Sequence, residues 1–591
     1  MKLWDFIYKY FWWFGKAVLK IYPNLPESIR RSGMSIYPEV YASLIGFITI
    51  LSVAISILLT LILISLGFLS PLLSIIVIIP FLSFILMVHL PYLIGTGRAG
   101  AIDGEIPYTT AYLSVMVTSG VSPYDAFERI SKSRAVFPRS SDLSQRFVLL
   151  VRVLGRDPLT AFSMLAHRTP SPSANDLLTG YITTVRSGGD VGDYLTKKAR
   201  LLFSEILVKM KIIADKLAGL LEAYLAMTLL TTIALSTMYF VTTSLYAAVT
   251  FGLSATGMFI MLYILMPFLS LMIIYITDLT QYKEPWIDYR PYIVYGGISI
   301  PLIIFLIVFG LVIPGSLPPG HPFRENILVK AVSSIVLLPA NYIHVEDYLR
   351  SSLIFIMAFL IGTIPAALYA EYVSHEYKVV YGITKFLRDL VEIRKTGLSP
   401  ERSIIELSRR NYGVFTKYLK RIALQLSLGI PLSRIINDIL KKIIVWRAKV
   451  LLYMMTDAIE VGGGTIAVLE NLAWFAENID TIEEEKKKSL RILLIVPYMG
   501  AILTILTIIL LTVFMGALTI KIAAYRSAAN LTLPAIILNV YLMGLVAGKV
   551  SAGSIAAGFK HALVLMLISL VTVMAAPLIK AALTGTMAIG V

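Results

Sequence analysis

The chain has 591 residues, 57% of them hydrophobic and only 15% charged, with a mean hydropathy of +0.79 and a formal net charge of +16. That balance lies well outside the range of soluble globular proteins, and zero cysteines exclude disulfides, thiolate metal sites and cysteine nucleophiles. The positive charge is not by itself a sign of nucleic-acid binding, since membrane orientation and attraction to anionic lipid account for much of it.

Residues 1–40 read as an N-terminal cytoplasmic amphipathic segment with no cleavable signal. Lys2, Asp5, Lys9, Lys16 and Lys20 fall largely on one side of a helix, with Phe6, Trp13 and Phe14 in the apolar remainder. Such a helix either lies in the membrane interface or simply anchors by its aromatic belt and charge. Near-continuous apolar runs follow, among them Ile45–Leu66, Leu72–Leu86, Leu220–Leu245 and Ile492–Leu518. About 20 such residues cross the hydrocarbon core as a helix. Nine spans are expected: 41–66, 70–94, 219–247, 254–277, 291–313, 352–372, 491–518, 532–548 and 562–583. The eighth is short, carries Gly544 and Gly548, and gives the weakest signal.

The predicted order is therefore transmembrane helices 1–2 (41–94), a first cytoplasmic domain (95–218), helices 3–5 (219–313), an external loop (314–351), helix 6 (352–372), a second cytoplasmic domain (374–491) and helices 7–9 (492–583). Of the 52 Lys and Arg, roughly 36 lie in the two long inter-span segments and about six in the first 40 residues. Cationic residues favour the cytoplasmic side, so the N-terminus and both long segments are expected inside and the C-terminus outside. The sequon Asn530-Leu531-Thr532 then falls in an outer loop. Glutamines number only about three and asparagines are sparse, a composition in keeping with a thermophile of archaeal type.

Both long segments say the same thing. Thr118-Ser119-Gly120-Val121-Ser122-Pro123 is echoed by Lys395-Thr396-Gly397-Leu398-Ser399-Pro400. Asp157-Pro158-Leu159 is echoed by Ile430-Pro431-Leu432, and the Gly188-Gly189 turn by Gly462-Gly463-Gly464. Three landmarks in one order make a duplicated domain, in the same orientation each time. Each unit is about 120 residues, long enough to bury its own core, and both read as helical, with Leu387, Leu390, Val391 and Ile393 at helical spacing. In Gly-x-Ser-Pro the glycine ends one helix, the serine caps the next, and proline sits where its missing N–H does no harm. Asp125 completes a capping box with Ser122. The diglycines suit a tight turn or close backbone approach; neither has the spacing of a phosphate-binding loop.

Chemical candidates are thin. The six histidines form no metal pair, and His89 falls near the exit of span 2, at the interface. There is no nucleophile elbow and no paired-carboxylate constellation. Glu483–Lys488 fits a salt-bridged helix entering span 7. No catalytic, cofactor-binding or metal site is expected, and the protein is not expected to be an enzyme.

With these landmarks the chain resembles the type II secretion system F domain family, whose paired helical domains carry a Gly-x-Ser-Pro turn, a Gly-x-Pro-Leu-like turn and a diglycine turn, each followed by a long apolar helix. Gly120, Ser122 and Pro123, with Gly397, Ser399 and Pro400, match the first turn; Pro158 and Pro431 the second; Gly188, Gly189, Gly462 and Gly463 the third. The resemblance implies an all-α polytopic membrane protein with two duplicated helical-bundle domains. It implies a platform protein of a type IV pilus-like machine or of the archaellum, with a cytoplasmic hexameric secretion ATPase, pilin-like or archaellin-like subunits and membrane lipids as partners. A homodimer is expected on the axis of such a motor. Bacterial platforms of this class have about three spans; nine spans and two F domains in one chain look more like the archaeal ones. Basic cytoplasmic surfaces favour an acidic partner, and the expected ATPase-docking cations are Arg409, Arg410, Lys417, Lys420, Arg421, Lys441 and Lys442. A secondary transporter would show polar broken helices at the midplane, and a membrane-bound transferase a carboxylate or histidine cluster; the sequence shows little of either.

Overall fold

A computed structural model describes residues 3–65, 72–244, 255–281, 288–318, 320–342, 346–462, 464–518 and 522–589. Among the described residues every regular element is helical, with no strand. Nine helices among them are long and apolar enough to cross a membrane: Pro38–Leu58, Ser83–Thr118, Val191–Thr242, Thr256–Thr280, Arg290–Ser316, Asp347–Lys395, Ile466–Gly516, Tyr525–Ala552 and Ile555–Ala582. Helices prevail because lipid offers no partner to a backbone amide, and a helix satisfies its own. The protein is thus an all-α polytopic membrane protein. It divides into two compact units, one of Met1–Leu202 with Lys449–Leu472, the other of Phe203–Tyr282, Trp286–Ala448 and Ala473–Val591.

In the first unit, α1 (Leu3–Ile21) and α2 (Leu25–Ser32) precede α3 (Pro38–Ser65) and α4 (Leu72–Thr118). The basic, aromatic helix α1 packs on α3 through small residues. A Cβ on Gly15 would lie 2.7 Å from the Ser43 hydroxyl, and one on Gly46 2.7 Å from the Phe14 ring. Val18, Leu25, Ile29, Tyr41, Ala42, Ile45 and Val88 close this cluster, while Tyr8, Tyr10, Trp12 and Trp13 stay exposed.

Helix α4 continues without a break past Pro80, Pro91 and Pro107. Its far end anchors α5 (Pro123–Lys132), α6 (Pro138–Arg152), α7 (Pro158–Arg168) and α8 (Pro172–Arg186), after which α9 (Val191–Ser244) begins. Two carboxylates of α4 serve as caps for its neighbours. The fully buried Glu105 accepts the backbone N–H groups of Arg139 (2.9 Å) and Ser140 (2.7 Å), capping α6, whose own preceding residue Phe137 supplies no side-chain cap. Asp103 accepts the Ser171 hydroxyl and the Ser173 N–H at the start of α8. Phe127, Phe147 and Phe162 form the centre of this bundle, the last two stacked at 4.0 Å.

In the second unit, α10 (Ala255–Ile260) and α11 (Met266–Thr280) flank a π-helical turn at Met261–Leu265. The next span is broken twice by π turns, Tyr295–Ser299 and Val308–Val312, which separate α12 (Arg290–Val294), α13 (Ile300–Ile307) and α14 (Ile313–Ser316). Short helices α15 (Ile327–Val336) and α16 (Leu338–Tyr342) occupy the predicted external loop before α17 (Asp347–Glu376). The second repeat supplies α18 (Val379–Lys395), α19 (Pro400–Leu407), α20 (Thr416–Ser427) and α21 (Leu432–Leu440); α22 (Trp446–Gly462) and α23 (Ile466–Arg491) follow, then α24 (Ile495–Leu518), α25 (Ile522–Ala552) and α26 (Gly558–Ile589).

The span with the weakest sequence signal is the centre of this bundle. Ala528, Leu533, Ile536, Val546 and Ala547 of α25 are all fully buried. Its glycines are contact surfaces: a Cβ on Gly544 would lie 2.4 Å from the Ala562 Cα, and one on Gly548 2.0 Å from the Gly558 Cα. Two small-xxx-small faces therefore meet backbone to backbone, the packing that replaces a hydrophobic drive inside lipid.

The ion pairs between spans of this bundle sort into two ends, while Tyr541 between them meets Thr363 and Tyr295 at 3.0 Å each. At one, Glu346 pairs with Lys580, Asp347 with Arg526 (3.8 Å), and the Ser351 hydroxyl donates to Asn530 (2.8 Å). At the other, Lys549 pairs with Asp278 (2.5 Å), Lys560 with Glu371 (3.7 Å), and Tyr498 with His561 (2.8 Å). The start of α17 thus meets the start of α25 and the end of α26, and the end of α17 meets the start of α26. Asn530 of the sequon lies inside α25 and not in a loop.

Candidate functional site

The repeated turns share their backbone geometry. Gly120 and Gly397 have φ of +88° and +89°, a left-handed conformation that a side chain would strain. Ser122 and Ser399 each cap the following helix, accepting the N–H of Asp125 (3.1 Å) and of Arg402 (3.3 Å), with Pro123 and Pro400 in its first turn. The Ser122 hydroxyl also donates to the Asp125 carboxylate at 2.7 Å, a side-chain version of the capping box.

At the second landmark the copies diverge. Asp157 caps α7 by accepting the Leu159 and Thr160 N–H groups, with Pro158 just inside the helix, whereas Pro431 itself occupies the capping position of α21 and offers no side-chain oxygen. At the third, Gly188 is left-handed (φ +71°) and Gly189 lies beside Thr184; in the second copy the left-handed residue is Gly464 (φ +58°). Gly462 ends α22 and permits a close approach, since a Cβ there would lie 2.6 Å from that of Ser119. Gly463 lies outside the described residues.

That approach belongs to a contact no local pattern announces. Within the first unit, α22 of the second repeat lies against α4 of the first. The Tyr112 hydroxyl donates to Asp457 at 2.7 Å, the two rings of Tyr112 and Tyr453 stack at 5.7 Å, and Ser133 bonds the Tyr453 hydroxyl. Arg129 stands 3.7 Å from the other Asp457 oxygen. Burial pushes the Asp457 carboxyl above its ordinary value, opposed by the hydrogen bonds of Tyr112 and Tyr453 and the charge of Arg129. Burial likewise pushes the Tyr453 hydroxyl up to about 12. A lone carboxylate in the run Val450–Ile459 was the available signal. The recess beside this network holds no reactive constellation: Asp125 is held by Ser122, and Glu128 by Lys132 (2.8 Å) and Arg152 (2.7 Å).

The seven expected docking cations lie in the second unit, all exposed. Four are tied to their own domain: Arg409 to Glu406 (3.6 Å), Arg410 to Asp389 (3.0 Å), Lys417 to Glu376 (2.7 Å) and Lys441 to Asp438 (3.3 Å). Lys420, Arg421 and Lys442 have no acidic partner within 4 Å among the described residues. No group of three or more His, Asp or Glu able to hold a metal occurs among the described residues.

The family model for protein F of the type II secretion system matches the chain twice, over residues 109–239 and 386–513. Each match begins in the first helix of a repeat and ends in the span that follows it. An uncharacterized protein of Methanocaldococcus jannaschii is 21% identical over 450 residues, which cover 72% of this chain and 71% of the relative. No solved structure matches.

Proposed function

The chain carries two domains of the type II secretion system protein F family, and from that premise we propose that it is the membrane platform of a type IV pilus-like assembly machine. On this reading 95–218 and 374–491 are cytoplasmic domains, the N-terminus is cytoplasmic and the C-terminus external. A hexameric secretion ATPase docks beneath, and its ATP-driven motion lifts pilin-like subunits from the bilayer into the filament base. The protein itself performs no covalent chemistry. It works as a homodimer on the motor axis, and an archaellum platform is the same device serving a different filament.

The observation that carries this reading is α4. Its 47 residues run unbroken from an apolar stretch into the first helical domain, about 70 Å at 1.5 Å per residue. Two of its acids cap α6 and α8. A force applied to the domain therefore reaches the bilayer through one continuous rod. The ATPase meets the unpaired cations Lys420, Arg421 and Lys442, which lack the internal carboxylates that engage the other four. Reversing all three to glutamate should abolish recruitment of the secretion ATPase to full-length protein in nanodiscs while leaving membrane insertion intact. Undiminished recruitment would remove these cations from the interface.

A further inference from the structure

Within the first unit, α6 and α7 lie antiparallel, since α6 begins beside Glu105 and the chain leaves α7 for Ser171 beside Asp103. A groove of about 330 Å³ runs between them. At its membrane-proximal end stand Arg98, Arg139 and Arg168, with Arg146 further along α6. Arg98 is only four residues beyond the expected end of span 2. Asp142 is the one carboxylate in the lining, and Arg134 already approaches it at 3.9 Å. Arg139, Arg146 and Arg168 have no acid within 4 Å among the described residues and are exposed. The far end of the groove is apolar and opens on Leu149 and Leu154, which are 55% and 64% exposed, with the 71% exposed Val153 outside the lining and next to Leu154 in the chain.

A groove of this size is at the small end for a ligand pocket. It has room for two or three anchoring side chains of a helix laid along it. The polarity runs arginine to leucine away from the membrane. A phospholipid bound by its headgroup at the arginines would have to point its acyl chains out of the bilayer, so the observations favour a protein. Three unpartnered guanidinium groups ask for carboxylates, and the exposed leucines ask for an apolar stripe. The second repeat offers the same sequence of chemistry on α20, where Lys417, Lys420 and Arg421 precede the exposed Leu424 and Leu428.

We propose that the groove between α6 and α7 receives an acidic amphipathic helix of the cytoplasmic motor partner, its apolar stripe on Leu149, Val153 and Leu154 and its carboxylates on Arg139, Arg146 and Arg168. This rests on the platform reading and assigns the partner's docking element to the first repeat as well as to the second. Charge pairs at the rim act chiefly on encounter rate and salt dependence, the apolar anchors on residence time.

The test uses full-length protein in neutral-lipid nanodiscs and the purified secretion ATPase of the same organism. R139E/R146E/R168E should weaken binding at least about tenfold and flatten its salt dependence. L149S/V153S/L154S should weaken it about as much with the salt dependence retained. R139K/R146K/R168K, which keeps the charge and controls for folding, should stay within about threefold. A photo-crosslinker at Val153 should capture an ATPase segment with an apolar helical stripe and an excess of Asp and Glu. If wild type binds and the glutamate and serine variants bind equally well, the groove proposal falls and the platform reading stands. If wild type does not bind, both fall. If the glutamate variant loses affinity only for vesicles containing anionic lipid, the site is a headgroup site, and the helix proposal is overturned. A basic crosslinked segment overturns it too.

Discussion

Removal of the Tyr112 hydroxyl should loosen the seam between the two repeats. In Tyr112→Phe the ring and its stacking on Tyr453 remain, and the change deletes one hydrogen bond of 2.7 Å to a carboxylate whose residue is only 7% exposed. A buried bond to an ionisable acceptor whose partner is removed costs about 1–3 kcal/mol, or roughly 5- to 150-fold in a local opening equilibrium. The remaining Arg129 contact is long, and the arginine is 40% exposed, so solvent screening leaves it little to contribute. Hydrogen exchange of the 449–459 and 108–118 amides, with the protein in nanodiscs, reads that opening directly. Asp457→Asn adds the pH dependence. Because burial raises the folded-state pKa of Asp457 above its unfolded value, its favourable contribution is complete below the unfolded value, about 3.9, and is lost as pH rises through the folded one. Protection in wild type should therefore fall relative to Asp457→Asn as pH rises above about 4. Protection unchanged in Tyr112→Phe, or wild type gaining on Asp457→Asn as pH rises, would refute the reasoning.

Gly462→Val should cost about 1–3 kcal/mol by overpacking against Ser119. Gly120→Ala, which meets open space, should cost only the left-handed backbone, about 1 kcal/mol; thermal unfolding in detergent should rank them in that order. Ser122→Ala and Ser399→Ala should each lose about 1 kcal/mol of cap, seen as faster exchange in the first turns of α5 and α19 and nowhere else. Gly548→Leu should force α25 and α26 apart and abolish monodisperse extraction from the membrane, while Val564→Leu, on the exposed face of α26, should extract like wild type.

What the sequence disclosed followed from local chemistry. Apolar runs announce spans because lipid penalises anything else, and Gly-x-Ser-Pro announces a turn because its φ, its cap and its proline each leave a residue-level trace. The centrality of α25 was obscured by the very glycines that permit it, since a glycine reads as a break until its neighbour is known. The left-handed Gly464 was equally hard to single out among three consecutive glycines. Tyr112 and Asp457 are 345 residues apart, so only tertiary packing pairs them. The proposed docking cations were legible as a charge run. Which of them are already spent on Asp389 or Glu376 depends on how α18, α20 and the end of α17 fold together.

Deletion of the gene, with negative-stain electron microscopy of the cell surface, tests the platform role most directly. Loss of one filament type is expected, restored by the intact gene and not by a copy carrying K420E/R421E/K442E; filament diameter and swimming then separate pilus from archaellum. Filaments unchanged in number and kind, under conditions where all are expressed, would contradict it.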